Sequence, residues 1–198
     1  YHVRAYATNA VATVYGEDVS FLTETALAGT MEATQKLEPV NLDNLSNRGA
    51  TFDQYGYSVS ISGNYAIAGA RNDYDSQGSA YILYKDEVGI DNWGQVKKLW
   101  ALDGDNYERF GKAVSIDGDY ALVGAEGDND NGSNSGSAYL FYRNQGGTDN
   151  WGQVKKLTAS DGEANDYFGR TVAISGDYIV IGAPEDDDYA TSSGGAYI

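Results

Sequence analysis

The chain has no cysteine and a single histidine, His2, next to its first residue. The first absence excludes a disulfide framework, a thiol nucleophile and any cysteine-ligated metal. The second leaves everything after the opening residues without a histidine base or a histidine metal centre. Cations are scarce: 13 Lys and Arg face 29 Asp and Glu, for a formal net charge of −16 over 198 residues. A nucleic-acid partner is therefore not expected, because phosphates must be neutralised by basic side chains. No run approaches the roughly 20 apolar residues of a membrane-spanning helix, so membrane insertion is not expected either. No secretory leader is visible.

What the chain does have is repetition. Three segments read almost alike: YGYSVSISGNYAIAGA at 55–70, FGKAVSIDGDYALVGA at 110–125 and FGRTVAISGDYIVIGA at 168–183. Each is followed by an acidic, Gly/Ser-rich stretch and then by GSAYILY (78–84), GSAYLFY (136–142) or GGAYI (194–198). DNWGQVKKL stands at 91–99 and again at 149–157. Only the stretch after the Gly-Ala pair changes length, 10 positions from Ala70 to Ala80 against 13 from Ala125 to Ala138 and from Ala183 to Ala196. Length variation confined to one segment marks a surface loop, and a period of this size marks an array of one supersecondary unit.

Within a unit the pattern is β throughout. Short alternating runs meet at Ser62-Gly63-Asn64, Asp117-Gly118-Asp119 and Ser175-Gly176-Asp177, where glycine supplies the positive φ of a tight hairpin. Ala138–Tyr142 reads as a third strand and Gln153–Thr158 as a fourth. Four short strands per unit without helical periodicity predict a propeller blade. The fold class expected is all-β: a partial β-propeller of about three four-stranded blades behind an N-terminal β-hairpin remnant of a β-sandwich.

These residues carry a resemblance. Phe168-Gly169 followed at fixed distance by Gly182-Ala183-Pro184, with the copies Phe110-Gly111…Gly124-Ala125-Glu126 and Tyr55-Gly56…Gly69-Ala70-Arg71, is similar to the FG-GAP repeat of the integrin α-subunit propeller and its bacterial relatives. The resemblance covers about residues 34–198 and implies an extracellular propeller, commonly of seven blades, used in adhesion or ligand binding. The integrin-type repeat holds calcium in a DxDxDGxxD loop between its first two strands. Here that loop has shrunk to the three hairpin turns above, too short to supply the six to eight oxygens that calcium takes. Residues 1–24, with YHVRAYATNA and TVYGEDVSFLTE, resemble the last two strands of a bacterial fibronectin type III domain. Residues 25–33 read as a linker, and Gln35-Lys36-Leu37 matches Lys97-Lys98-Leu99 as an outer strand ahead of the first full blade. Both ends read as cut, so further blades of the same longer chain are expected partners, and the array alone is expected to leave an apolar blade face uncovered.

In a four-stranded meander the loops after Gly-Ala and the connections before Phe-Gly share one face. They hold 17 of the 29 acids, against Arg48, Arg71 and Arg109 alone. One face is thus expected to be strongly negative and to favour cations or a basic partner. Within it Asp73-Tyr74-Asp75, Asp128-Asn129-Asp130 and Asp186-Asp187-Asp188 align as D-x-D. Alternate carboxylates resemble the opening of a calcium loop, which makes Asp73, Asp75, Asp128, Asp130, Asp186 and Asp188 the candidate ligands of Ca2+. The pattern is incomplete, and a solvated polar turn is the plain alternative. Tyr81, Tyr120, Tyr139 and Tyr178 fall at repeated strand positions and are read as packing between blades, Trp93 and Trp151 as anchors of the outer strand, and the Lys97-Lys98 and Lys155-Lys156 pairs as guards of an exposed edge. The leading expectation is a non-enzymatic extracellular module that binds a protein or glycan at its acidic face. The alternative is a propeller-scaffold enzyme acting on polysaccharide through paired carboxylates, with its catalytic residues in further, missing blades. Against it stands periodicity: each candidate acid has a repeat-mate, whereas a catalytic pair occurs once.

Overall fold

A computed structural model describes residues 2–3, 6–8, 13–15, 19–20, 35–39, 53–90 and 92–198. The expected linker, together with Asp43, Arg48 and Asp91, lies outside the described residues. The chain divides into two compact units, Tyr1–Lys36 and Leu37–Ile198. In the first, β1 (His2–Val3) pairs antiparallel with β4 (Val19–Ser20), and β2 (Tyr6–Thr8) with β3 (Thr13–Tyr15). The alternating stretch and its partner thus pair antiparallel at two places, in two two-stranded sheets.

The described residues of the second unit form three antiparallel sheets. The first runs in the order β5 (Tyr55–Ser62), β6 (Tyr65–Ala70), β7 (Ser79–Lys85) and β8 (Trp93–Leu99). The next comprises β9 (Ala113–Asp117), β10 (Tyr120–Ala125), β11 (Ser137–Tyr142) and β12 (Gly152–Leu157), and the last β13 (Thr171–Ser175), β14 (Tyr178–Ala183) and β15 (Gly195–Tyr197). These are propeller blades, and the all-β class is as expected. The hairpin turns hold two residues each: Ser62 pairs with Tyr65, Asp117 with Tyr120 and Ser175 with Tyr178. Gly63, Gly118 and Gly176 have φ of +56°, +53° and +54°, which is what the first central position of a type II′ turn demands. Among the described residues helix is confined to one four-residue turn, Asp73–Ser76, with left-handed φ at Tyr74 and Asp75.

The blades meet at their backbones. Phe110 and Phe168 are buried to 0% and 2% exposure, and the peptide beside each is pinned to the preceding blade. Phe110 N donates to Gln77 O at 2.9 Å and Phe168 N to Ser135 O at 3.0 Å, with parallel bridges Gly78↔Phe110 and Gly136↔Phe168. A Cβ on Gly111 would collide with the Ser79 carbonyl, and one on Gly169 with the Ser137 carbonyl. The Phe-Gly pair thus allows the close approach of neighbouring blades.

A serine ladder links the inner strands. Ser58, Ser60 and Ser62 of β5 accept from Val114 N, Ile116 N and Gly118 N of β9 at 3.1, 3.2 and 3.1 Å. Ser115 and Asp117 of β9 then accept from Ile174 N and Gly176 N at 3.1 and 2.7 Å. Inner strands have one unpaired edge, and hydroxyls at every second residue satisfy its N–H groups.

Three details differ from expectation. Residues 35–39 carry no strand: an outer strand forms only against a third strand, and no described strand precedes it to play the part of β7. Tyr81 and Tyr139 are buried, but Tyr120 and Tyr178 are 41% and 71% exposed, because they sit beside the solvent-facing hairpin turns and not between sheets. Trp151 is buried to 1% and meets the Tyr65 ring edge-on at 5.3 Å, so this tryptophan packs across blades as well as anchoring its own strand. On β5, Val59 and Ile61 are exposed, an uncovered apolar face as anticipated.

The interlock separates two costs of a side chain at the same repeat position. Gly56 and Gly111 have φ of +81° and +86°, but a Cβ on Gly56 meets nothing described within 4 Å. Gly56→Ala is expected to cost about 1 kcal/mol from left-handed strain alone, and Gly111→Ala about 3 kcal/mol or more from strain plus collision. Urea unfolding of both variants measures the difference; equal losses would show that backbone contact between blades is not what holds them.

Candidate functional site

The three D-x-D loops turn out to be built alike from the inside. The first carboxylate of each accepts from the tyrosine of the following strand: Tyr81 Oη lies 2.8 Å from Asp73 Oδ2, Tyr139 Oη 2.9 Å from Asp128 Oδ2 and Tyr197 Oη 2.7 Å from Asp186 Oδ2. Its backbone carbonyl closes the loop, accepting from Gly78 N, Gly136 N and Gly194 N at 2.8, 2.9 and 2.9 Å. In the longer loops its second oxygen also takes the N–H two residues on, Asp130 N at 3.1 Å and Asp188 N at 3.3 Å. Asparagine and aspartate favour such turns because the short side chain folds back on its own backbone. The structure thus brings Asp73, Asp128 and Asp186 inward, and leaves Asp75, Asp130 and Asp188 exposed.

A lysine completes the arrangement. Lys98 Nζ sits 2.8 Å from Asp73 Oδ2. Lys156 Nζ reaches three carboxylates, Asp128 Oδ2 and Asp130 Oδ2 at 2.7 Å and Asp103 Oδ2 at 2.9 Å, and lies 5.4 Å above the Tyr139 ring. Both ammonium groups come from outer strands, so the second lysine of each pair points into the blade. It is not the edge guard that was expected. Burial pulls Lys156 down, but the three carboxylates outweigh it and hold the ammonium charged far beyond the usual lysine range. Burial likewise raises Asp73, yet Lys98 and the hydroxyls of Ser79 and Tyr81 bring its carboxyl below the ordinary value.

This cup is where the sequence places calcium, and the cation found there is an ammonium. Hard oxygen ligands suited to a divalent ion are taken up by Lys156 and Tyr139. Among the described residues no group of three or more acidic or histidine side chains is arranged to hold a metal ion. In the third loop Tyr197 Oη lies between Asp186 Oδ2 and Asp161 Oδ1, at 2.7 and 2.8 Å. Partial loss of hydration and the charges of Asp186, Asp161 and Glu163 raise the carboxyl of the exposed, neighbouring Asp188.

The connections before Phe-Gly complete the face. Arg109 N and Asn165 N donate to Ser76 O and Ser133 O at 3.0 and 2.8 Å, and Gly127 N returns a bond to Glu108 O at 3.0 Å. Glu108 is 6% exposed, and its Oε2 has no hydrogen-bond partner. Burial, with help from Asp128 and Asp103 against Lys156 and a backbone N–H, raises its carboxyl to about 7. A family model described as FG-GAP repeat matches residues 45–84, 93–141 and 151–198. No curated protein matches the chain.

Two outcomes follow from this geometry. Lys156→Gln leaves buried Asp128 without its counter-charge and is expected to cost about 3 kcal/mol, while opening the cup to calcium. Millimolar calcium, at matched ionic strength, should then raise the variant's melting temperature by about 3 °C more than the wild type's; an equal shift in both would show that Lys156 does not hold the place of a divalent ion. Glu108 has a folded pKa above its ordinary 4.5, so the stability it contributes is complete below that value and is lost as pH rises through about 7. The wild type should lose about 2 kcal/mol relative to Glu108→Gln between pH 5 and 8. Parallel pH–stability profiles would remove Glu108 as the cause.

Proposed function

Because the chain belongs to the FG-GAP repeat family, we propose that it is a non-enzymatic module displayed outside the cell, binding a protein or glycan on the loop face of its blades. FG-GAP repeats build propeller-type binding and adhesion modules in general. The observation that carries the finer reading is the occupation of the repeated acids. Asp73, Asp128 and Asp186 each hold a loop closed through a tyrosine and a glycine N–H, so they are scaffold. None stands as a free carboxylate pair facing a substrate. The loops are thereby rigid and pre-shaped, which lowers the entropy lost when a partner is bound.

The resemblance of residues 1–24 to the end of a fibronectin type III domain supports the extracellular setting, since modules of that kind are strung together in surface proteins. Calcium enters the reading as a competitor of Lys156 for Asp103, Asp128 and Asp130, a role for the divalent ion that is conditional on displacing the ammonium. No helix among the described residues is long and apolar enough to cross a membrane.

The test is a panel. The immobilised chain is offered neutral glycans, acidic glycans and basic and acidic proteins, and the same glycans are assayed in solution for new reducing ends. Saturable binding of at least one class without turnover is the expected result. Reducing ends released above the blank would move the reading to a polysaccharide-cleaving enzyme.

A further inference from the structure

The acidic face contains an island of the opposite sign. Arg71, Arg109, Lys112 and Arg170, four of the 13 cations in the chain, line one cleft of about 590 Å³. Arg71 follows the Gly-Ala pair of the first blade. Arg109 and Lys112 flank the Phe-Gly pair of the second, and Arg170 follows that of the third. Sorting charge by loops missed the island because Lys112 and Arg170 stand just beyond the connections.

At its centre is a carboxylate. Glu126, 2% exposed, takes Arg109 Nη1 and Lys112 Nζ on Oε1, both at 3.1 Å, and Arg170 Nε at 3.4 Å from Oε2. Oε2 is buried and has no hydrogen-bond partner. Arg170 also reaches Glu185 Oε1 at 3.4 Å, while the Arg71 guanidinium donates to Gln54 and lies 4.1 Å over the Tyr57 ring. Three cations thus share one internal carboxylate, and the side chains of Arg109 and Arg170 remain 45% and 40% exposed. Such a centre has capacity for a second oxyanion, since guanidinium groups present further paired donors that fit a carboxylate.

The cleft also sits where the copies stop agreeing. The residue before Phe-Gly is Gln54, Arg109 or Tyr167; the residue after it is Tyr57, Lys112 or Arg170; the residue after Gly-Ala is Arg71, Glu126 or Pro184. The Phe-Gly and Gly-Ala pairs between them barely vary. Gln54, Arg109 and Tyr167 all hold a left-handed backbone, with φ of 56°, 58° and 56°, so the fold keeps a strained position at the rim of the cleft whatever side chain stands there. A frame that repeats and a lining that does not is the pattern of a single ligand site on an array.

The geometry points to a site for a saccharide carrying one carboxylate, a hexuronate unit at the end of an otherwise neutral glycan; this rests on the binding-module reading and names its ligand class. The carboxylate would join Glu126 among the guanidinium groups. Tyr167 offers a ring face, and Asn165 and Ser192 offer hydroxyl partners in the same wall. The volume is within the range of small-ligand sites, roughly 300–1,000 Å³, and among the described residues the aliphatic side chain in the wall is Ala164, too small to serve as a peptide anchor. A polyanion is disfavoured, because Glu185 and Asp187 already stand in the same wall and further negative charges would meet them.

The experiment uses the 198-residue chain, with methyl β-D-glucuronide as probe, methyl β-D-glucoside as its neutral counterpart and sodium sulfate as a bare anion, read by titration calorimetry or saturation-transfer NMR. The glucuronide is expected to bind with Kd of about 1 mM or better, the glucoside and sulfate at least tenfold more weakly. Arg109→Gln and Arg170→Gln should each weaken glucuronide binding about tenfold. Glu126→Gln should strengthen it severalfold, because the internal competitor is gone while the cations stay; a merely structural ion cluster would lose affinity there. If Glu126→Gln does not fold, Glu185→Gln frees Arg170 and carries the same expectation. Sulfate binding as tightly as the glucuronide, equal binding of the glucoside, or no gain in either glutamate variant overturns the proposal. Failure here with binding of another class in the panel leaves the module reading in place, whereas silence in both removes both.

Discussion

Neighbouring blades approach until main chain meets main chain, and the rest of the second unit follows from that separation. At this distance no Cβ fits at Gly69, Gly78 or Gly111, each of which faces a backbone atom of the adjoining blade. The phenylalanine beside the glycine fills the volume that the glycines leave, Phe110 meeting Phe141 edge-on and Tyr139 at a tilt. Close approach also brings the edge of one inner strand within reach of serine hydroxyls on the next, so the exposed N–H row is satisfied without a fifth strand. Finally, it lays each loop after Gly-Ala against the connection into the next blade. The face that carries the chemistry is a by-product of backbone packing.

That face concentrates negative charge in a chain already at −16, and charge of one sign at short range is costly. The structure lowers the cost locally. Lys98 and Lys156 place one ammonium inside the loop instead of on the strand edge, and each loop's innermost carboxylate is hydrogen-bonded by a tyrosine. A divalent ion would do the same work, but only when bound; a lysine in the chain is always present. In the Asp73 and Asp128 loops the counter-charge is therefore part of the chain itself.

Much of the frame was legible because it rests on local signals. Gly in a two-residue turn, alternation of apolar residues and the Phe-Gly and Gly-Ala pairs each act within a few positions of themselves, and strands and hairpins follow. The candidate site was less legible, since its contacts join distant residues. Asp128 and Lys156 stand 28 positions apart, on a loop and a strand, and nothing in the Lys155-Lys156 dipeptide tells which side chain turns inward. The D-x-D pattern was real, but alternate carboxylates look the same whether the cation they await is a metal ion or a lysine. The serine ladder had a signal, Ser58-x-Ser60-x-Ser62 at the strand period, which reads as solvated surface until a neighbouring blade is placed against it.

Repetition itself sorts the residues by role. A contact that every blade must make to stack on the next has to recur, so Phe-Gly, Gly-Ala, the loop-closing aspartate and its tyrosine recur. A ligand, by contrast, touches the array at one place, and nothing in stacking requires the copies to agree there. The acids that drew attention first are the recurring kind, and in the structure they bind their own loops. Where the copies differ within an otherwise constant frame, the side chains are Arg71, Arg109, Lys112, Glu126 and Arg170, and they meet in one cleft. In a repeat protein the departure from the pattern is thus the better guide to specificity, and the pattern the better guide to the fold.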